Sequence, residues 1–192
     1  MTQQWTKQWL SIRLLTVLLA GCGSPEEQMP AIIAFATVRQ VLQHPRCQNC
    51  HIPGDAPLQF DAGLAHRQQV ARGSEGKGAP GLPCSTCHGV VNAPASYGPN
   101  TPPGAPNWAL PPPEHKMVFI GLNGAALCAG LKNRDENGGK DMDALIEHVA
   151  ADKLVLWGWS PGEGRAPVSV PHADFVAAFT RWAEAGAPCP QV

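Results

Sequence analysis

The chain has 192 residues, of which 15% are charged, and a formal net charge of −1. That balance excludes a nucleic-acid surface, which needs a basic face, and the length suits one domain of ordinary size. Twenty glycines and twenty prolines make the chain loop-rich.

Residues 1–21 read as an export signal rather than as part of the fold. Lys7 and Arg13 form a positive start, and Leu14–Ala20 is a short apolar run. A bilayer span needs roughly 20 apolar residues, so this run is too short to be one. It ends in Leu19-Ala20-Gly21-Cys22, which resembles the lipobox of bacterial lipoproteins. The resemblance implies cleavage before Cys22, a lipid on that cysteine, and a protein held to a membrane in the cell envelope, facing the periplasm. The alternative is ordinary cleavage nearby with Cys22 as a stray thiol. Residues 22–30, polar and bounded by Pro25 and Pro30, read as a tether, and residues 31–192 as a single domain.

From Ala31 the pattern turns helical. Phe35, Val38, Val41 and Leu42 repeat near the 3.6-residue period, and Pro45 stops the helix. Cys47-Gln-Asn-Cys50-His51 follows at once, and Cys84-Ser-Thr-Cys87-His88 repeats it. Each pentad is a c-type haem attachment site. Two thiols bind the porphyrin covalently, and the adjacent histidine, His51 or His88, supplies an imidazole nitrogen to the iron. A four-cysteine zinc site is the rival reading. Its pairs lie about 15–20 residues apart, whereas 33 residues separate these two, and zinc needs no histidine after each pair. A thioredoxin-like redox pair needs only one copy.

Ala62 to Gly73, which includes His66, reads as a short helix ended by Gly73. Gly73, Gly76, Gly78 and Gly81 form a flexible loop suited to close backbone approach to a haem face. Pro94 to Pro113 holds eight prolines and Trp108, a stiff extended path leading to Met117. Asn123 caps a helix over Gly124–Leu131, and Asp141 caps another with the stripe Met142, Leu145, Ile146 and Val149. His148 stands at the edge of that stripe. Leu154–Trp159 reads as a strand or buried turn, with Trp157 and Trp159 placed to pack either on haem edges or in the core. A last helix begins near Pro171 and carries Phe175, Ala178, Phe179 and Trp182.

Seven cysteines are present. Four belong to the attachment motifs and Cys22 to the lipobox, which leaves Cys128 and Cys189. An oxidising compartment favours their pairing as a disulfide; two free buried thiols are the alternative. The axial ligands beyond His51 and His88 come from a short set. His44 is too near Cys47 to reach the far face of its own haem, His172 sits at a helix start, and Met142 belongs to an apolar stripe. His66, Met117 and His148 remain as candidate sixth ligands, with His115 beside Met117. The expectation is one His/Met iron through Met117 and one bis-His iron, with His66 the first choice and His148 the second.

With these residues in view, the chain resembles the dihaem c-type cytochromes named for isoquinoline 1-oxidoreductase-type molybdenum hydroxylases. The resemblance lies in the paired motifs, His66 with Val70-x-Arg72-Gly73, Met117-Val-Phe-Ile-Gly121, Asn137-Gly-Gly139 and Leu154-Val-Leu-Trp-Gly-Trp159-Ser-Pro-Gly162. It implies a mainly α, loop-rich cytochrome fold with two covalent haems. It also implies an electron-transfer role between a dehydrogenase or molybdenum hydroxylase and a cytochrome or oxidase acceptor. No catalytic residue is expected. A small dihaem enzyme of peroxidase type or a haem-based sensor is the alternative, and each needs an iron with an open sixth position.

Overall fold

The structure is a computed structural model and describes residues 25–191. The expected signal segment and Cys22 lie outside the described residues. Among the described residues, six α-helices carry the architecture: α1 (Pro25–Leu42), α2 (Pro45–Gln48), α3 (Gly124–Lys132), α4 (Met142–Ala151), α5 (Lys153–Leu156) and α6 (His172–Glu184). Two antiparallel hairpins of two-residue strands interrupt the loops. Leu58–Gln59 (β1) pairs with Leu64–Ala65 (β2), and Gly78–Ala79 (β3) with Leu82–Pro83 (β4). The chain is therefore mainly α with long irregular connections.

The core is a sandwich of α1 against α6, flanked by α3 and α4. Phe35, Val38 and Val41 on α1 and Phe175, Ala178, Phe179 and Trp182 on α6 are buried there. Spacing of i, i+3, i+6 on α1 and of i, i+3, i+4, i+7 on α6 puts each set on one helix face. Phe35 meets Trp182 at 5.0 Å between ring centroids, and Trp182 stands edge-on to Phe179 at 5.3 Å. Each such side chain contributes about 1.5–3 kcal/mol on full burial. The Trp182 indole also donates to the Pro188 carbonyl at 3.0 Å, which turns the tail back onto the core. There Cys189 is joined to Cys128 of α3 by a disulfide.

The caps act as local chemistry dictates. Asn123 Oδ1 accepts from the Ala126 N–H and Asp141 Oδ1 from the Ala144 N–H, both at 2.9 Å, satisfying donors the helix leaves unpaired. Asp152 does the same for α5 through Leu154 and Val155.

Three segments differ from expectation. Residues 25–30, read as a tether, form the first turns of α1, with Pro30 inside the helix; proline near a helix start costs few bonds. Residues 62–73 hold no α-helix. The β1–β2 ladder and the His66 N–H donated to the Pro57 carbonyl at 2.9 Å occupy the backbone, and Gln68 and Gln69 adopt positive φ of 61° and 52°. Residues 154–159 are α5 followed by a 3₁₀ turn (Trp157–Trp159), not a strand. Among the described residues no helix is long and apolar enough to cross a membrane.

Candidate functional site: two Cys-x-x-Cys-His turns and their opposing histidines

Both pentads fold the same way. At the first, α2 carries Cys47, and the N–H groups of Cys50 and His51 donate to the Cys47 carbonyl at 3.2 Å. At the second, the N–H groups of Cys87 and His88 donate to the Cys84 carbonyl at 3.2 and 2.9 Å. One helical turn thus carries all three residues of each motif. His44 serves the backbone instead. Its Nδ1 accepts from the Arg46 N–H at 3.2 Å and caps α2.

The first turn faces a cavity of about 440 Å³, within the range of cofactor pockets. Cys47, Cys50, His51, Met117 and His148 line it, together with apolar side chains of α1, α4 and α6 and the rings of Trp108, Trp157 and Trp159. Burial pushes the Cys47 thiol up to about 12 and Cys50 to about 11. Burial also pushes His51 down to about 4, so this imidazole is neutral.

The histidine tautomers follow from their partners. His51 Nδ1 lies 2.7 Å from the Met117 carbonyl oxygen. A carbonyl only accepts, so the proton sits on Nδ1 and Nε2 keeps its lone pair for a metal. His88 repeats this against the Pro103 carbonyl at 2.8 Å, and His66 against its neighbour Arg67 at 2.7 Å. His148 presents Nδ1 to the Asp152 carboxylate at 3.4 Å. A second partner of this type is what metal-bound histidines usually have. His172 differs, because its Nε2 is bonded to the Val149 carbonyl at 2.9 Å.

Aromatic rings lock the two attachment histidines. Phe119 lies flat on His51 at 3.9 Å and 11°, and Trp108 flat on His88 at 4.4 Å and 6°. His66 faces His88 with centroids 6.2 Å apart. Two imidazoles bound on opposite sides of one metal ion, each at about 2.0–2.1 Å, place their ring centroids about 6 Å apart. The second pair therefore has the separation of two ligands sharing one ion. His148 lines the same cavity as His51, and its charge would bear on that ring.

Met117 also lines the first cavity. Its carbonyl stands behind His51, its backbone has a φ of 46°, and its side chain packs against the core. His115 lines the cavity and is tied through Nδ1 to the Asp135 carbonyl.

The residues present fit a haem on three counts. Each turn carries two cysteines and a histidine within five residues, a further histidine shares the first cavity with His51 or stands 6.2 Å from His88, and the first cavity holds an orphaned donor. Arg46 is 7% exposed and lines the cavity; its guanidinium pairs with Asp61, yet Nε has no partner. A buried donor of that kind suits the carboxylate of a bound group. Among the described residues no three His, Cys, Asp or Glu side chains assemble as a metal cage. The four motif cysteines thus form no shared zinc site, whereas a haem iron takes one protein ligand on each face.

The glycine-rich loop allows close backbone approach between loops. A Cβ at Gly73 would lie 2.0 Å from the Gly78 carbonyl oxygen, and one at Gly76 the same distance from that of Leu110. Buried Arg72 ties this loop to the proline run through the Pro111 carbonyl and to the first motif through the carbonyls of Ile52 and Gly54. Arg72, Phe119 and the Pro103 carbonyl carry no sequence signal of their roles; Trp108 is marked only by its rarity within the proline run.

Compared with models of protein families, with curated proteins and with solved structures, the chain matches none.

Proposed function

We propose that the chain is a dihaem c-type cytochrome that carries electrons and performs no chemistry on a substrate. The carrying observation is that each Cys-x-x-Cys-His turn presents a neutral histidine with a second histidine available to it, the pair His66 and His88 standing 6.2 Å apart. Haem held there supplies one-electron exchange at iron. Cys47, Cys50, Cys84 and Cys87 would hold the two groups, His51 and His88 one face of each, and His148 and His66 the other. Both sites are then bis-His. This reading prefers His148 to Met117 at the first site, because His148 has the second partner for Nδ1 that metal-bound histidines usually have, in Asp152, whereas the Met117 side chain packs against the core.

His51 with His148 and His88 with His66 would hold the two groups from the protein alone, and the one-electron chemistry those groups would supply needs no substrate at the metal, which favours a carrier over a peroxidase or a sensor. The protein contributes tautomers fixed by carbonyls, a dry apolar wall at the first site and a more open second site, where Cys87 is exposed. The donor proposed from the resemblance is a dehydrogenase or molybdenum hydroxylase, the acceptor a cytochrome or oxidase. The place proposed is the bacterial envelope, with the lipid on Cys22.

The test is to purify the exported protein and measure its mass, its haemochrome spectrum and its paramagnetic resonance. Two covalent haems and two low-spin ferric signals are expected. A colourless zinc protein, or a high-spin resting iron, overturns the reading.

A further inference from the structure

Trp108 belongs to both sites at once. One face of its indole lies on the His88 imidazole, 4.4 Å away and within 6° of parallel. The same residue lines the cavity that contains Cys47, Cys50 and His51. Its position is held from two sides. Trp157 stands edge-on to it at 4.9 Å and 83°, and Trp157 is itself fixed by donating Nε1–H to Asn92 Oδ1 at 3.0 Å. The chain on its other side is pinned by the Leu110 N–H donated to the Gly76 carbonyl at 2.9 Å. Trp108 is half-buried, and proline-rich backbone on both sides limits its freedom. Such support is more than a surface indole needs for packing alone.

We propose that Trp108 couples the two haem sites, setting the rotation of the His88 imidazole and giving the π path between that ligand and the first cavity. The proposal rests on the dihaem reading. The step it serves moves one electron: the site that gives it is oxidised, the site that receives it is reduced, and no proton or bond changes hands. Trp108 itself gains and loses nothing. The electron enters from a one-electron reductant, the redox partner in the cell or a small radical donor in the test. Stacking matters because an imidazole pressed flat against an indole has one rotational setting about its metal bond.

The experiment compares full-length, haem-loaded wild type with Trp108→Leu, Trp108→Phe and Tyr97→Leu. Tyr97 is an exposed ring that does not line the first cavity. Haem content is counted first. A fast pulse of small reductant then gives the rate of internal electron equilibration, and paramagnetic resonance gives the ferric signals. Trp108→Leu should slow equilibration at least about tenfold, the scale a lost positioning group commonly costs, and should shift one ferric signal. Trp108→Phe, which keeps a ring face, should fall between. Tyr97→Leu should leave the rate and that signal unchanged. An unchanged rate in Trp108→Leu with two haems present overturns the proposal, as does equal slowing in Tyr97→Leu. Should Trp108→Leu fail to fold, Trp108→Phe decides by the same two readouts. Fewer than two haems in the wild type defeats the dihaem reading itself, which separates that failure from this one.

Discussion

The Met117 carbonyl accepts the Nδ1–H of His51 at 2.7 Å. His51, Met117 and His148 all line the first cavity, and the proposed reading takes His148 as the second ligand there. Met117→Leu should therefore keep both irons low-spin and both potentials close to wild type, with no methionine-to-iron charge-transfer band in either protein. His148→Ala should convert one iron to high-spin. Optical spectra and redox titration of the two variants check this, and a charge-transfer band lost in Met117→Leu would restore methionine ligation.

At the second site the same reasoning falls on His66. Its ring faces His88 at 6.2 Å, and its own Nδ1–H is tied to the Arg67 carbonyl. His66→Ala should open the second iron to added imidazole while the first keeps its spectrum. His115→Ala, a change at the rim of the first cavity, should leave both irons low-spin. Binding of imidazole followed by absorbance measures both.

How much of this was legible beforehand depends on how local the determinant is. The attachment turns were readable because sulfur, sulfur and nitrogen lie within five consecutive residues and one helical turn gathers them. Helices α3, α4 and α6 were readable because Asn123, Asp141 and the apolar stripes act within a few residues. The segment around His66 was not, because its conformation depends on pairing with Pro57–Gln59, a non-local partner. The start of α1 was hidden by two prolines that normally signal a break. The acceptors behind His51 and His88 are backbone carbonyls, which every residue owns, so no side-chain pattern distinguishes Met117 or Pro103. Met117 drew attention for its sulfur, while its carbonyl oxygen as the partner of His51 left no mark in the sequence.

The disulfide between Cys128 and Cys189 closes the chain across 61 residues and ties α3 to the tail. Cys128 is fully buried beside Leu127 and Leu131. Replacing both cysteines with alanine should lower stability by about 2–4 kcal/mol, chiefly by freeing the unfolded chain. Urea denaturation of the two proteins reads the difference, and adding reductant to the wild type should remove most of it. Haem content should stay at two, since neither cysteine lines the first cavity.

Gly76 tests the backbone that carries Trp108. It has a φ of +75°, and a Cβ there would sit 2.0 Å from the Leu110 carbonyl oxygen. Gly76→Ala therefore forces apart two loops that hydrogen-bond through the Leu110 N–H and the Gly76 carbonyl. A loss of about 1–3 kcal/mol is expected, the range for a residue held in a sparsely populated backbone region. Gly81 has a similar φ of +87° but nothing within 4 Å of its Cβ direction, so Gly81→Ala should cost less. Thermal melts of the pair separate steric closeness from backbone strain.

Arg46 offers a test of what fills the first cavity. Its guanidinium is buried, pairs with the half-exposed Asp61 and lies 5.7 Å from the Trp157 ring centre, yet Nε has no acceptor. A buried cation donor left unpaired is costly, whereas one bonded to a carboxylate is favourable by about 1.5–3 kcal/mol. Arg46→Met should therefore cost more when the first haem is attached than when Cys47→Ser and Cys50→Ser prevent attachment. The double-mutant cycle isolates that difference, and urea denaturation of the four proteins supplies it; a coupling near zero would mean that Nε faces no carboxylate. The potential gives an independent sign. A positive charge beside an iron disfavours the ferric state, so removing it should lower the first site's potential and leave the second almost unmoved. A rise in that potential, or an equal change at both sites, would show that Arg46 acts through the general packing of the cavity and not through its charge.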